Sequence, residues 1–453
     1  MEKTAAQAPG AASPELPRVL GLFSLVGIVV GTMIGSGIFI NPANVARELG
    51  SPALMLAAWA LGGVLSFFGA LAIAELGAMY SRAGGIYVYL REAYGPLPAF
   101  LFGWALILVI ESGTIATLAV GFASRYLPFF VDLTPLQQRL AALALIAALA
   151  LVNVLGVKKG AYLMNFLTSV KFVALIAVCT LIFLFARGST ANFAVAAPGA
   201  GRGALGGFGV ALVAVLWAYK GFETGSYSAG ELRDPQHKLP LGLFIGTLAV
   251  ILLYVLANLA YLYVFPAARM AGSTRIAADV MALVFGPAGA AAISLIILLS
   301  MTGTANGHIM TSSRVFYAMA RDGLFFKGVG RVHPRFRTPH VAIAVLAGWA
   351  ALLSLSGTFE QLYSYVVFGF WIFMGLTVAG VIVLRRRRPD LPRPYRTWGY
   401  PFTPLLFVLS AVLLTLNSLV QAFWNSFIGL ALILLGVPVY FLWRRRRTGP
   451  AAD

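Results

Sequence analysis

Long apolar segments separated by short polar ones recur along this chain from about residue 19 to residue 443. Most have at least the roughly 20 residues that a helix needs to cross a bilayer. The short alternating segments typical of a transmembrane β-barrel do not dominate. The pattern therefore predicts an all-α integral membrane protein with twelve transmembrane helices, numbered here spans 1 to 12: 19–46, 52–80, 96–126, 137–156, 159–186, 206–231, 239–265, 285–320, 339–357, 360–384, 402–422 and 425–443. Span 8, with 36 residues, is too long for one crossing and is predicted to continue into the cytoplasm.

Glycines interrupt span 1 in the segment GTMIGSGIF, residues 31–39. Gly27, Gly31 and Gly35 have the spacing of a ridge for close helix packing, which is one interpretation. Ser36 and Gly37 lie off that ridge, which favours a local unwinding of the helix around residues 33–37.

Span 6 has a similar interruption in WAYKGFETGSYSAG, residues 217–230, where Lys220 and Glu223 stand among glycines. The alternatives are a structural ion pair or a loop mistaken for a span. Interrupted helices five spans apart are typical of a five-plus-five inverted repeat. Free N–H groups at one half-helix end suit a carboxylate and free carbonyls suit an ammonium, so a zwitterionic amino acid fits the site.

Composition agrees with a membrane protein: 60% of the 453 residues are hydrophobic, 11% are charged, and the mean hydropathy is +0.87. With the N-terminus inside, the cytoplasmic segments hold 24 Lys and Arg residues and the outer segments six. This asymmetry predicts cytoplasmic termini in the plasma (inner) membrane, and it explains the net charge of +18 without a nucleic-acid partner. The N-terminal residues lack the pattern of a signal peptide and are predicted to be disordered.

Four charged residues fall near the middle of spans, where a lone charge is costly. They are Lys171, Glu111, Lys220 and Glu223. Their charges sum to zero, so mutual pairing would remove much of that cost, although the sequence does not say which groups pair.

Lys171 in span 5 is interpreted as a replacement for a bound sodium ion, with its ammonium bridging spans 1 and 8. Ser300, Thr302 and Thr304 are the candidate oxygen ligands on span 8. Alternatively, Lys171 releases and regains a proton during transport.

The sequence gives little support for a proton relay, a metal or cofactor site, ATP binding or a disulfide. His308 is the one histidine in the interior of a span, and a packing role is favoured for it over a proton relay. No cluster has metal-ligand spacing and no phosphate-binding loop occurs, so neither a metal, nor another cofactor, nor ATP is expected. The single cysteine, Cys179, lies in span 5, which excludes an intrachain disulfide.

With these residues identified, the chain resembles the amino acid–polyamine–organocation (APC) superfamily of permeases, near its L-type and cationic amino-acid transporter branches. The matching segments are GTMIGSGIF, AELGAMYSRAGGIYVYLREAYG, NFLTSVKF, WAYKGFETGSYSAGELRDPQHKLP and GTANGHIMTSSRVFYAMARDG. The resemblance implies a LeuT-type fold and sodium-independent secondary transport of amino acids by alternating access. It implies four regions: a cytoplasmic tail (1–18), a ten-helix core (19–385), a loop with two peripheral helices (386–443) and a second tail (444–453).

The resemblance also implies residue roles. The N–H groups of Ser36 and Gly37 would hold the substrate carboxylate. Carbonyls would hold its ammonium, Trp217 and Tyr219 would gate the site, and Lys171 would take the place of sodium. The carbonyls concerned belong to Met33, Trp217 and Lys220.

The chain departs from the usual family pattern at Lys220 and Glu111, whereas Glu223 matches an acidic position found in some branches. The span pattern also resembles the light subunits of heteromeric exchangers, but the loop between spans 3 and 4 has no cysteine, so no disulfide-linked heavy subunit is expected. The favoured hypothesis is a proton symporter or exchanger of neutral L-amino acids. The alternatives are a carrier of cationic amino acids or amines, with Glu111 or Glu223 receiving the positive charge, and a membrane sensor or enzyme on the same scaffold.

Overall fold

A computed structural model describes residues 16–199, 201, 204–356, 359–421 and 423–448. Its regular structure consists of helices, and the described residues contain only one isolated β-bridge, between Leu20 and Leu232. The α-helices are α1 Leu22–Met33, α2 Gly37–Leu49, α3 Pro52–Met79, α4 Ile86–Tyr94, α5 Pro96–Ala105, α6 Glu111–Gly121, α7 Pro135–Val154, α8 Val157–Phe185, α9 Ala204–Tyr219, α10 Thr224–Tyr227, α11 Pro235–Val264, α12 Ala267–Gly272, α13 Ile276–Arg321, α14 His340–Ser356, α15 Phe359–Arg387, α16 Phe402–Gln421, α17 Phe423–Leu434 and α18 Gly436–Thr448.

Among the described residues, ten helical stretches are long and apolar enough to cross a membrane. Two further apolar helices, Gly206–Tyr219 and His340–Ser356, are shorter and fall at predicted spans 6 and 9. Because the backbone N–H and C=O groups of each stretch form their hydrogen bonds within the helix, such segments are stable in lipid. The chain is therefore an all-helical, multi-pass membrane protein.

Several boundaries differ from those predicted. The helix at span 8 begins earlier, at Ile276, and Gly286 interrupts it with a left-handed φ of 66° just before Pro287. Span 12 consists of α17 and α18, and α18 continues to Thr448, into the region predicted as a tail. Residues 16–18 were predicted to belong to the disordered N-terminal tail, but Leu16 is buried against the bundle. Residues 1–15 of that tail lie outside the described residues.

The predicted interruption of span 1 is present. Helix α1 ends at Met33 and α2 begins at Gly37. Close packing also limits side-chain size here, because a Cβ on Gly31 would lie 2.2 Å from the Thr168 hydroxyl oxygen of α8. A Cβ on Gly37 would lie 2.6 Å from the Cα of Ala218. Both interpretations of the glycines therefore apply, since they permit close helix packing and also flank an unwound segment.

Span 6 is also interrupted, because α9 ends at Tyr219 and α10 begins at Thr224. Gly221 in the gap has a φ of 124°, which L side chains rarely adopt. A Cβ there would lie 2.7 Å from the carbonyl carbon of Thr32. The two interruptions therefore touch through backbone, and the second half of span 6 is a short helix of four residues.

The helices around these interruptions hold them inside the bundle. Helix α1 packs against α8 and α11, α2 packs against α9, and α13 packs against α8. Residues 27–43 of span 1 are buried throughout. The unwound segment is thus surrounded by protein, which is the setting in which irregular backbone is tolerated at membrane depth.

Candidate functional site

The ammonium of Lys171 reaches the unwound segment of span 1. The side chain is fully buried, and its Nζ donates to the carbonyl oxygens of Gly31 and Ile34, the latter at 2.7 Å. It also lies 3.0 Å from the Thr304 Oγ1 and 3.4 Å from the Ser300 carbonyl oxygen. These contacts link span 5 to spans 1 and 8, as the sequence predicted. They are all to uncharged oxygens, so the expectation that the four buried charges pair with one another does not hold for Lys171.

The three hydroxyl residues proposed on span 8 differ in their contacts. Thr304 contacts the ammonium directly, whereas Ser300 does so through its carbonyl and donates its hydroxyl to the carbonyl of Ile34 at 2.8 Å. The prediction for Thr302 is wrong, because its hydroxyl donates to the carbonyl of Leu298 within its own helix. Thr302 lies two residues from both Ser300 and Thr304, about 200° around the helix, and so faces away from them.

A small cavity of about 20 Å³ lies between the two interruptions. Spans 1, 3, 6 and 8 line it, and it includes five of the six residues predicted to bind substrate: Met33, Ser36, Gly37, Trp217 and Lys220. Such a volume has room for about one water molecule. Binding of an amino acid therefore requires the cavity to widen.

The ends of the half-helices supply polar groups to this cavity. Helix α2 begins at Gly37, so its first N–H groups have no carbonyl of the same helix to bind. The hydroxyl of Ser36 is buried and forms no hydrogen bond with another described residue. The carbonyl of Met33 accepts from the Gly35 N–H, and that of Trp217 accepts from the Lys220 N–H. The Met33 carbonyl also accepts the hydroxyl of Tyr254 at 2.8 Å, so both of its lone pairs are used in this conformation.

Tyr219, proposed as a gating residue, is not among the residues that line the cavity in the described part of the chain. Its hydroxyl donates to the carbonyl of Trp59 at 3.2 Å, and its ring packs against the rings of Trp59 and Tyr254. Tyr219 follows Trp217 by two helical positions, or about 200°, so the two side chains point to opposite sides of α9. This expectation is therefore corrected: in this conformation Tyr219 packs behind the site.

Glu111 is the centre of a buried polar network joining spans 3, 6 and 8. One carboxylate oxygen lies 2.8 Å from the Lys220 Nζ. The other lies 2.7 Å from the Nδ1 of His308 and accepts the Ser312 hydroxyl, also at 2.7 Å. All four residues are buried. The charged side chain of Lys220 is thus neutralised mainly by Glu111.

Glu223 takes part in this network only at its edge. Its Oε1 lies 3.9 Å from the Lys220 Nζ and forms no hydrogen bond with any described residue. Its Oε2 accepts the N–H of Gly221 at 3.0 Å, in the interruption of span 6. One oxygen of a fully buried carboxylate is therefore available for a further partner.

Two residues of the site were missed or undervalued in the sequence. His308 contacts Glu111 instead of only packing, and Ser312 lies one helical turn after it. They follow Thr304 by four and eight residues, which places all three on one face of α13. This spacing is the pattern by which the sequence could have identified them. Leu106–Ile110, just before Glu111, forms a π-helix, a feature that is frequent at functional sites.

A second buried ion pair lies beyond the site, toward the face of the membrane where span 1 begins, called here the N-terminal face. The guanidinium of Arg314 donates to both oxygens of Glu231, at 3.0 and 3.2 Å, and both residues are buried. The N–H of Leu20 donates to the carbonyl of Glu231. These contacts join the start of span 1, the end of span 6 and span 8 on this face.

The described residues contain no group of histidine, cysteine and carboxylate side chains that could hold a metal ion. Cys179 lies fully buried in α8. The polar groups of the site are therefore peptide dipoles, hydroxyls and the charged side chains of the Glu111 network and Lys171.

Comparison with known proteins gives a consistent result. A sequence family described as "Amino acid permease" matches residues 20–438. The chain is 37% identical over 442 residues to the human b(0,+)-type amino acid transporter 1, covering 96% of this chain and 89% of that protein. It is 33% identical over 441 residues to the human cystine/glutamate transporter, covering 96% and 87%. It is 30% identical over 435 residues to the serine/threonine exchanger SteT of Bacillus subtilis (strain 168), covering 95% and 98%.

These similarities extend over nearly the whole chain and include both interrupted spans. They confirm the resemblance found in the sequence motifs. The chain belongs to the amino acid permease family of the APC superfamily, whose members are membrane transporters and not enzymes.

Proposed function

We propose that the chain transports amino acids across the plasma membrane by alternating access, without sodium, through proton symport or exchange, and that it favours neutral L-amino acids. The observation that carries the proposal is the set of oxygens around the Lys171 ammonium: two carbonyls of the unwound segment of span 1, a carbonyl of span 8 and a hydroxyl of span 8. Carbonyls of unwound helices are typical ligands of the coupling ion in transporters of this architecture. A resident ammonium at these oxygens leaves no need for a sodium ion.

The substrate groups common to all amino acids match the polar ends of the two interruptions. The carboxylate is assigned to the free N–H groups at Ser36 and Gly37, where the dipole of α2 favours negative charge. The ammonium is assigned to the carbonyls of Met33, Trp217 and Lys220. Trp217 lines the cavity, so its ring is the aromatic side chain best placed to cover a bound substrate.

Preference for neutral side chains follows from internal charge compensation. Glu111 and Lys220 form an ion pair at 2.8 Å inside the protein, so neither requires a charged substrate. Thr114 and Leu118 of span 3 line the same cavity and suit small or apolar side chains. The relatives differ in the substrates they are named for, so the preference is a proposal drawn from these contacts.

Helix packing supports a LeuT-type inverted repeat with twelve spans. Span 2 packs against span 7, span 3 packs against span 8, and span 4 packs against span 9. Each pair joins helices five positions apart, which are the equivalent helices of two repeats of five. Residues 19–385 would then form the transport core and residues 386–443 the loop and peripheral helices, between tails 1–18 and 444–453.

The 24-to-six distribution of Lys and Arg supports cytoplasmic termini, so the N-terminal face would be the cytoplasmic face. The single cysteine is buried in α8, which supports transport without a disulfide-linked heavy subunit. The exchanger SteT is similar over 98% of its length, which supports exchange as one mode of coupling. Counterflow of labelled substrate and uptake driven by a pH gradient would distinguish exchange from proton symport.

The test measures uptake of labelled neutral L-amino acids by proteoliposomes in sodium and in choline buffers. We expect equal rates for the wild type in both buffers and loss of uptake in Lys171→Ala, which removes the ammonium from these carbonyls. Lys158→Ala is the matched control, because Lys158 is an exposed lysine on the same helix. Sodium dependence of the wild type would contradict the proposal. Saturable binding without flux or counterflow would favour a sensor.

Transport of cationic amino acids or amines is the second candidate. It is favoured by the Oε1 of Glu223, which is buried, lacks a hydrogen bond to any described residue and lies near the cavity residue Lys220. Competition of labelled alanine uptake by arginine separates the candidates. Strong competition that is lost in Glu223→Gln would support the cationic substrate, and weak competition in both proteins would support the neutral one.

A further inference from the structure

A second and larger cavity opens at the N-terminal face, on the far side of the Arg314–Glu231 pair from Lys171. Its volume is about 580 Å³, within the range of small-molecule sites in proteins. Four segments line it: the residues before α1, the loop between α3 and α4 together with α4, the end of span 6 and the end of α13. We call it the basic cavity because four arginines and one carboxylate line it: Arg18, Arg82, Arg91, Arg321 and Asp322.

The one lining carboxylate is already engaged. Asp322 forms an ion pair with Arg91 and accepts the hydroxyl of Tyr87 at 2.8 Å. Burial, and then the neighbouring charge of Asp322, raises the pKa of Tyr87, so the phenol remains a donor at neutral pH. Burial lowers the pKa of the Arg91 guanidinium, but the charge and hydrogen bond of Asp322, together with smaller contributions from Tyr87 and Glu92, outweigh burial and raise that pKa. Asp322 is therefore engaged by Arg91 and Tyr87.

Arg18 and Arg82 are in a different position. Both side chains are exposed to the cavity, and neither forms a hydrogen bond or ion pair with another side chain in the described residues. The nearby Glu231 is occupied by Arg314 inside the bundle. Two guanidinium groups from separate chain segments thus line one concave space with no anionic partner among the described residues.

We propose that the basic cavity binds a phosphate-bearing anion through the guanidinium groups of Arg18 and Arg82. A guanidinium presents a planar pair of N–H donors that matches the oxygens of a phosphate group. Two guanidinium charges without an anionic partner in the described part of the chain match the two negative charges of a phosphomonoester. A concave wall of low dielectric also concentrates the positive potential on an anion.

An anion held by both residues connects two parts of the bundle. Arg18 precedes α1, and the adjoining Leu20 is bound through its backbone to Glu231 and Arg233 after span 6. Arg82 lies on the loop after α3. The bound anion would therefore bridge the N-terminal ends of spans 1 and 6 to the loop that follows span 2.

The phosphate group has two sources, a soluble compound or a lipid headgroup, and two experiments separate them. The first titrates inorganic pyrophosphate into the purified full chain in detergent, at constant ionic strength in potassium chloride. The second uses nanodiscs of phosphatidylcholine with or without phosphatidic acid, followed by native mass spectrometry of the retained lipid. Neither experiment depends on transport, so their outcome is independent of the proposed function.

We expect saturable binding in at least one of the two experiments. Arg18→Gln and Arg82→Gln should each weaken it about tenfold, which corresponds to ~1.4 kcal/mol. Arg331→Gln is the matched control, because Arg331 is exposed after the same end of α13 but does not line the basic cavity. Since Arg18 and Arg82 have no side-chain partners among the described residues, we expect the variants to remain monodisperse on size exclusion.

Arginine-dependent binding of pyrophosphate alone identifies a soluble ligand, and arginine-dependent retention of phosphatidic acid alone identifies a lipid ligand. Dependence in both experiments identifies a site that accepts either source. Equal binding by the wild type and the Arg18→Gln/Arg82→Gln double variant, or no binding in either experiment, overturns the proposal.

Discussion

The hydroxyl of Tyr254 in α11 lies 2.8 Å from the carbonyl oxygen of Met33, the last residue of α1. The same hydroxyl lies 3.2 Å from the carbonyl oxygen of Ala218, next to the end of α9. A hydroxyl has a single hydrogen to donate, so the two carbonyls share one donor. One side chain from span 7 thus contacts both interrupted helices where they end.

This contact predicts a role for Tyr254 in positioning the proposed ammonium ligand Met33. In Tyr254→Phe the ring remains but the carbonyl loses a buried hydrogen bond, worth about 0.5–1.5 kcal/mol. We expect the apparent KM for a neutral amino acid to rise roughly two- to tenfold, with a smaller effect on the maximal rate. Initial uptake rates in proteoliposomes over a range of substrate concentrations measure the effect.

Tyr261→Phe is the control for this prediction. Tyr261 lies two turns further along α11 and is equally buried, but its hydroxyl forms no hydrogen bond with another described residue. Removing it should leave KM unchanged and should not lower the unfolding temperature. Equal effects of the two substitutions on KM would show that Tyr254 acts only through packing.

The contact between the two interruptions gives a second prediction. Gly221 has a φ of 124°, and a Cβ at this position would lie 2.8 Å from the backbone nitrogen of Met33. Gly221→Ala therefore strains the backbone at position 221. It also makes the new Cβ clash with the backbone of span 1, which cannot shift without its packed neighbours. We expect uptake to fall to background, with little monodisperse protein in size exclusion.

Gly95→Ala is the control that has backbone strain without a steric clash. Gly95 has a φ of 93°, and no atom lies within 4 Å of its ideal Cβ. The substitution should cost about 1–3 kcal/mol from backbone strain and leave a protein that still transports. Normal transport by Gly221→Ala would mean that the contact between the two unwound segments is not required.

The sequence was sufficient to predict the interruptions because their causes are local. Glycine next to small polar residues weakens a helix wherever it occurs, so Gly35, Gly37 and Gly221 mark the unwound segments directly. The contacts of Lys171 with spans 1 and 8 also followed, because a buried ammonium must find oxygen and unwound backbone supplies it.

The pairing of the other charges did not follow from the sequence. Glu111, Lys220 and His308 lie in three spans far apart in the chain, and they meet only through the rotation and tilt of those spans. Hydropathy identifies a span but leaves its rotation open, since a span buried on several sides has no single polar face. Because the rotation of span 6 could not be predicted, Tyr219 was expected at the substrate site. Its side chain instead lies behind the cavity.

Ionic contacts at Glu111 lead to the last prediction. The carboxylate meets Lys220 at 2.8 Å with both side chains almost completely buried. Removing one partner of such a pair leaves an uncompensated buried charge and typically destabilises a protein by about 3–5 kcal/mol. We expect Glu111→Gln and Lys220→Met each to lower the unfolding temperature of the purified protein strongly.

The double variant Glu111→Gln/Lys220→Met should recover most of that loss, because no buried charge of the pair remains uncompensated. A Gln at position 111 still offers a carbonyl oxygen to the Ser312 hydroxyl, so that contact survives the change. The reference is the partly exposed Arg388–Glu92 pair at 3.2 Å, whose removal should cost only about 0.2–1 kcal/mol. If the losses in unfolding temperature instead add up in the double variant, Glu111 and Lys220 stabilise the bundle through separate partners. His308 and Ser312 would then be the dominant contacts of Glu111.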